Sequence, residues 1–247
     1  MSPPPAIAGI LFDKDGTLIR YDESWGPVNR EAARIAAAGN AALEPILLAA
    51  GGMDPETGKT KADSLLAAGN SAEIAEGFVA AGSPLNAADL TRELDALFLR
   101  AAEFSVPVAD LPSVFSDLKA RGLKLGIASS DNEKAIRRMA ESSGIADYVD
   151  FIAGYDSGFG TKPEPGMMVA FCKAVGLQPA EVAMVGDNSH DMHMGRAAGA
   201  GLNFGVLTGT GTLQTLRPLA DHCLEDITLI GDLLHELAAA RPGLSRA

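Results

Sequence analysis

The residues of this sequence best suited to chemistry fall in four short stretches. The first is Asp13-Lys14-Asp15-Gly16-Thr17-Leu18, with two carboxylates one residue apart and a glycine at the bend. A second acidic stretch, Gly186-Asp187-Asn188-Ser189-His190-Asp191, follows an apolar run at 182–185. Taken singly, each has an ordinary explanation: acids in a turn, Asp187 capping the next helix, Asp191 on that helix's solvated first turn. Taken together, they bring three or four carboxylates to one place, and like charges so crowded require a cation or altered protonation. A hard divalent ion is implied, and Mg²⁺ suits a site with few carboxylates that leaves waters on the ion. The other two stretches offer what an anionic ligand needs. Ser129-Ser130-Asp131-Asn132 supplies hydroxyls and successive amides at a helix start, while Thr161-Lys162-Pro163-Glu164-Pro165 sets one lysine among prolines. Lys162 and a divalent ion would balance Asp13, Asp187 and Asp191 if Asp15 is protonated.

Elements that could carry these residues are visible in the hydrophobic pattern. Near-continuous apolar runs at 7–12, 123–128, 148–153, 182–185 and 202–206 read as buried strands. Stretches with helical spacing alternate with them, such as Ile136, Met139 and Ala140 before Gly144, and Met168, Phe171, Cys172 and Val175 before Gly176. This alternation predicts an α/β fold, a doubly wound (Rossmann-like) parallel sheet with helices on both faces. Such sheets bind ligands beyond the carboxyl ends of the strands, where the strand order reverses. Residues 20–104 break the alternation. They are Ala-rich, show no convincing strand and read as four or five helices, the last opened by an Asn86/Asp89 cap and carrying Leu90, Leu94, Leu97, Phe98 and Ala101. The expected organisation is a core of 1–19 and 105–247 with an all-helical domain of 20–104 inserted after the first strand.

Composition narrows the function classes. The chain has 247 residues, 47% apolar and 21% charged, with 32 acidic against 20 basic side chains. It can bury a real core, and its acidic balance with no basic cluster argues against nucleic acid or an anionic membrane surface as partner. Two cysteines without a Cys-X-X-Cys pair support neither a disulfide framework nor a zinc cage. The start lacks the basic and apolar regions of a leader, Pro3 to Pro5 reads as a short disordered beginning, and the expected location is cytoplasmic.

The order and wording of the four stretches resemble the haloacid-dehalogenase-like (HAD) superfamily of phosphatases. Asp13-Lys14-Asp15-Gly16-Thr17-Leu18 is similar to its first motif, Ser129 to the second, Lys162-Pro163 to the third, and Gly186-Asp187 with Asp191 to the fourth. The helical insert resembles the cap of the subgroup containing phosphoglycolate phosphatases and β-phosphoglucomutases. The resemblance implies Mg²⁺-dependent hydrolysis of a small phosphorylated metabolite, with Asp13 as nucleophile forming an aspartyl-phosphate and Asp15 as general acid and base. It implies metal ligation by the Asp13 and Asp187 carboxylates and the Asp15 main-chain carbonyl. Asp191 and Asn188 would lie just outside the metal's ligands, and Ser129 or Ser130 would join Lys162 on the phosphate; Ser129, the first residue after the strand, is favoured. A phosphomutase using the same intermediate and a non-catalytic receiver-like phosphoacceptor module are the alternatives. Receivers lack the helical insert and the second Asp, and dehalogenases and phosphonatases do not need Asp15.

Other signals are weaker. Gly52 to Thr60 imitates a P-loop, but its spacing carries an extra residue and no strand precedes it. Lying between helices of the insert, this loop could instead let Lys59 or Lys61 meet a second anionic group on the substrate. Gly209-Thr210-Gly211 reads as a turn, His190 and His193 as polar residues rimming the site, and Met184, Met192 and Met194 as packing. The sequence leaves the oligomeric state unknown.

Overall fold

The computed structural model describes residues 6–240, so the proline-rich start lies outside the described residues. The chain forms β1 (Gly9–Phe12), then α1 (Tyr21–Ala36), α2 (Glu44–Gly51), α3 (Leu65–Ala68), α4 (Ser71–Ala80) and α5 (Ala87–Ala101). It continues with α6 (Leu111–Ala120), β2 (Lys124–Ala128), α7 (Glu133–Ser142), β3 (Phe151–Ala153), α8 (Gly166–Val175), β4 (Val182–Gly186) and α9 (Ser189–Ala198). It ends with β5 (Leu202–Val206), α10 (Leu213–Leu216), β6 (His222–Leu224) and α11 (Ile230–Ala239). All six strands are parallel, in the order β3-β2-β1-β4-β5-β6. The chain moves outward from β1 through β2 to β3, then crosses back to β4 on the other side of β1. The reversal of strand order therefore opens a crevice at the carboxyl ends of β1 and β4.

Both central strands are buried along their whole length, as a sheet covered on both faces requires. Alternation decides which face each residue serves. Ile10, Phe12, Ala183 and Val185 join one apolar cluster with Phe115 and Ile136, while Leu11, Val182 and Met184 join another with Met168, Phe171 and Met194. Met184 and Met194 are therefore packing residues. The third strand is shorter than its apolar run suggests, because residues 146–148 close into a 3₁₀ turn before it. The edge strand β6 has no counterpart among the expected strands: at three half-buried residues it is too short to leave a periodic signal.

The helices between β1 and β2 pack mainly on one another, α1 against α2 and α5, and α4 against α5. Their starts are marked chemically. Asn70 and Glu73 form a capping box at α4, and the Asn86 side chain accepts the Asp89 amide at 2.8 Å to open α5. The chain leaves and re-enters this module through two neighbouring segments, where the Val108 amide donates to Leu18 O (3.0 Å) and the Arg20 amide to Val106 O (2.8 Å). Among the described residues no helix is long and apolar enough to cross a membrane. Cys172 and Cys223 are unpaired.

Candidate active site

The four stretches converge at the crevice. Asp13 follows β1 with its amide donating to Val185 O at 2.8 Å, Asp187 follows β4, Ser129 follows β2, and Lys162 comes from the loop before α8. Carboxylate oxygens of Asp13, Asp187 and Asp191 lie within 4.8 Å of one another, and all three residues are buried. The Lys162 ammonium donates to both Asp13 and Asp191 at 2.6 Å. Asp187 accepts the Thr210 amide at 2.7 Å. Asn188, rather than Asp187, caps α9, with its side chain accepting the His190 amide while Asp191 accepts the Asn188 amide. Two glycines make this crowding possible. Gly16 has φ +84°, and a Cβ on it would meet Asp187 Oδ2 at 2.6 Å; a Cβ on Gly186 would run into the Asp191 carboxylate.

The electrostatics show a site short of positive charge. Burial, opposed by Lys162 and reinforced by Asp191 and Asp15, pushes the Asp13 carboxyl up to about 7. Burial, then the Asp13 and Asp191 charges, holds Asp187 well above the usual carboxylate range. Burial alone would lower the Lys162 ammonium, but Asp13 and Asp191 together outweigh it and raise it. Asp13 Oδ2 is buried and has no hydrogen-bond partner. An all-oxygen cluster with an orphaned carboxylate oxygen fits a hard divalent cation.

Asp15 is held by residues that its sequence context did not single out. Its Oδ1 accepts from Lys14 Nζ at 2.7 Å and from the Trp25 indole at 2.5 Å, while Oδ2 faces the Ser129 hydroxyl at 3.4 Å. Lys14 is itself buried, pairs with Asp131 at 2.9 Å, and lies 5.1 Å from the Trp25 ring centre. The Trp25 contact joins α1 of the helical module to this acid. A second link comes from Asp63, which accepts from the Ser189 hydroxyl (2.6 Å) and amide (3.2 Å) at the start of α9.

Together these groups line a cavity of about 50 Å³, with Asp13, Asp15, Ser129, Ser130, Lys162, Asp187, Asn188 and Asp191 all at its wall. His190 also lines it, whereas His193 is exposed. Lys59 and Lys61, expected to reach a second anionic group, are not in the lining. Lys61 is exposed, and Lys59 is drawn away to Asp22 on the first turn of α1 at 2.8 Å. The Gly209-Thr210-Gly211 turn does more than reverse the chain: Thr210 holds Asp187, and the Thr208 hydroxyl donates to Gly16 O at 2.6 Å. Its one signal in the sequence is position, immediately after a strand that ends beside the acids.

The family model of haloacid dehalogenase-like hydrolases matches residues 7–199. A phosphoglycolate phosphatase of Caulobacter vibrioides is 30% identical over 147 residues, 58% of this chain and 61% of the relative. The pyrophosphatase PpaX of Bacillus velezensis is 32% identical over 122 residues, 48% of this chain and 54% of the relative. The chain thus spans between half and two thirds of the length of these curated relatives. A crystal structure of a predicted phosphoglycolate phosphatase from Haemophilus somnus superposes with a TM-score of 0.70 at 20% identity, covering 92% of this chain and 97% of that one. That likeness shows a shared fold.

Proposed function

The chain belongs to the haloacid dehalogenase-like hydrolase family, and from that premise we propose that it is a phosphatase acting on a small organic phosphate monoester. The observation that carries this reading is the buried cluster of Asp13, Asp187 and Asp191 around Lys162, with one Asp13 oxygen unpartnered. Asp13 attacks phosphorus as the ester P–O bond breaks, forming an aspartyl-phosphate. Asp15 gives its proton to the departing alkoxide oxygen, then as carboxylate takes a proton from the water that attacks the aspartyl-phosphate and frees Asp13. Lys14 and Trp25 both donate to Oδ1 of Asp15, and the Ser129 hydroxyl meets Oδ2 at 3.4 Å. Ser129 and Lys162 hold the phosphoryl oxygens, where alignment and charge stabilisation supply most of the rate. Asp191 keeps Lys162 in place.

Mg²⁺, held by the Asp13 and Asp187 carboxylates and the Asp15 main-chain carbonyl, would supply further neutralisation of phosphoryl charge when bound. Residues 20–104 serve as a cap that excludes bulk water from the crevice, inserted into a core of 1–19 and 105–247. We place the enzyme in the cytoplasm, in keeping with its unpaired cysteines. The test is hydrolysis of 4-nitrophenyl phosphate that EDTA abolishes and Mg²⁺ restores, and that Asp13→Asn eliminates. A folded protein inert toward phosphate esters with Mg²⁺ present would refute the proposal.

A further inference from the structure

The two sides of the cavity differ in chemistry. Its floor holds five carboxylates, Asp13, Asp15, Asp131, Asp187 and Asp191. The opposite wall, built by α1, α3, α4 and α5, consists mainly of Trp25, Leu66, Ala67, Ala68, Ile74 and Phe98. None of these carries a charge, and the two side-chain donors of this wall are already engaged. The Tyr21 hydroxyl donates to Leu66 O at 2.6 Å and the Trp25 indole to Asp15 at 2.5 Å. The amides of Ala67, Ala68 and Gly69 donate within their own turn at 3.0, 3.0 and 2.9 Å. Among the described residues that line the cavity, positive charge can come from Lys162, which is engaged by Asp13 and Asp191, and from the imidazole of His190.

A phosphoryl group on the floor points its leaving group at this wall. A second anion there would lose its hydration, find no free side-chain donor on the wall and face an excess of carboxylates; burial of an unpaired charge is strongly unfavourable. A sugar would exchange the hydration of several hydroxyls for a wall whose side chains are mainly apolar. An alkyl group loses only unfavourable contact with water.

We infer that this site takes phosphate monoesters of small, uncharged, largely apolar alcohols, and discriminates against leaving groups that carry a carboxylate, a second phosphate or a polyol. The inference rests on the phosphatase reading above and departs from the substrates named for the relatives. Isobutyl phosphate and phosphoglycolate test it cleanly, because they share one heavy-atom skeleton and differ by an isopropyl group in place of a carboxylate. With the full chain and Mg²⁺, kcat/KM for isobutyl phosphate is expected to exceed that for phosphoglycolate by about 100-fold, as for a charge buried without a partner. A preference below tenfold, a reversed preference, or no turnover of either ester while 4-nitrophenyl phosphate is hydrolysed would overturn the inference and leave the phosphatase reading standing. A reversed preference is also the outcome required if His190 serves as countercharge to a substrate carboxylate. Absence of turnover on all three esters would overturn both.

Discussion

Replacing Lys14 by Met removes the single ammonium that Asp15 and Asp131 share, at 2.7 and 2.9 Å, from a place where the lysine and Asp131 side chains are 1% and 2% exposed. Breaking a buried pair from one side costs roughly 3–5 kcal/mol, since the remaining charge stays out of water without a partner. A second route reaches the same figure. Asp131 can escape by taking a proton, and from an unfolded pKa of about 3.9 at pH 7, at about 1.36 kcal/mol per unit, that costs about 4 kcal/mol. The sign of the pH dependence follows. The native variant then holds a proton that the unfolded chain has lost, so its stability falls as pH rises, and its deficit against wild type shrinks by up to about 1.4 kcal/mol per unit between pH 7 and 5. In the wild type, burial already holds Asp131 above its usual value despite Lys14, so the same trend is present in weaker form. Urea unfolding followed by circular dichroism at several pH values measures both quantities. Lys14→Met combined with Asp131→Asn should regain at least about 2 kcal/mol and flatten the pH dependence. A Lys14→Met deficit below about 1 kcal/mol, unchanged by pH and by the second substitution, would refute the reasoning.

Asp187→Asn should weaken Mg²⁺ binding by roughly tenfold or more in calorimetry, whereas Asp15→Asn should leave it nearly intact because the main-chain carbonyl of residue 15 is the proposed ligand; equal losses would reject that division. Trp25→Phe keeps the ring packing against Phe98, at 4.8 Å between centres, but deletes the indole donor to Asp15. Loss of a hydrogen bond to a charged group, roughly 1.5–3 kcal/mol, predicts a ten- to hundredfold fall in kcat on alkyl esters. Hydrolysis of 4-nitrophenyl phosphate, whose leaving group departs without a proton, should fall much less, and a uniform fall would count against Asp15 positioning.

Local pattern carried the parts of this protein that local physics governs. An apolar run that ends in acids reads as a buried parallel strand with a carboxylate at its tip, so the strands leading to Asp13 and Asp187 were legible, as were the helical insert and the caps at Asn86 and Gly176. The edge strand β6 was not, because three half-buried residues lack a period. Pairings across the chain were decided by the tertiary structure alone. Lys14 stands between two site acids in the sequence, and only folding buries it against Asp131 and sets Trp25 beside it. Thr210 and Asp187 meet because β5 lies beside β4, which spacing along the chain cannot express. The ion pair of Lys59 with Asp22 of α1, at 2.8 Å, is likewise set by packing between distant segments. The apolar wall over the carboxylates comes from four helices distant in sequence. Side-chain periodicity specifies which face of an element is buried, but the identity of the neighbours on that face depends on how the elements pack.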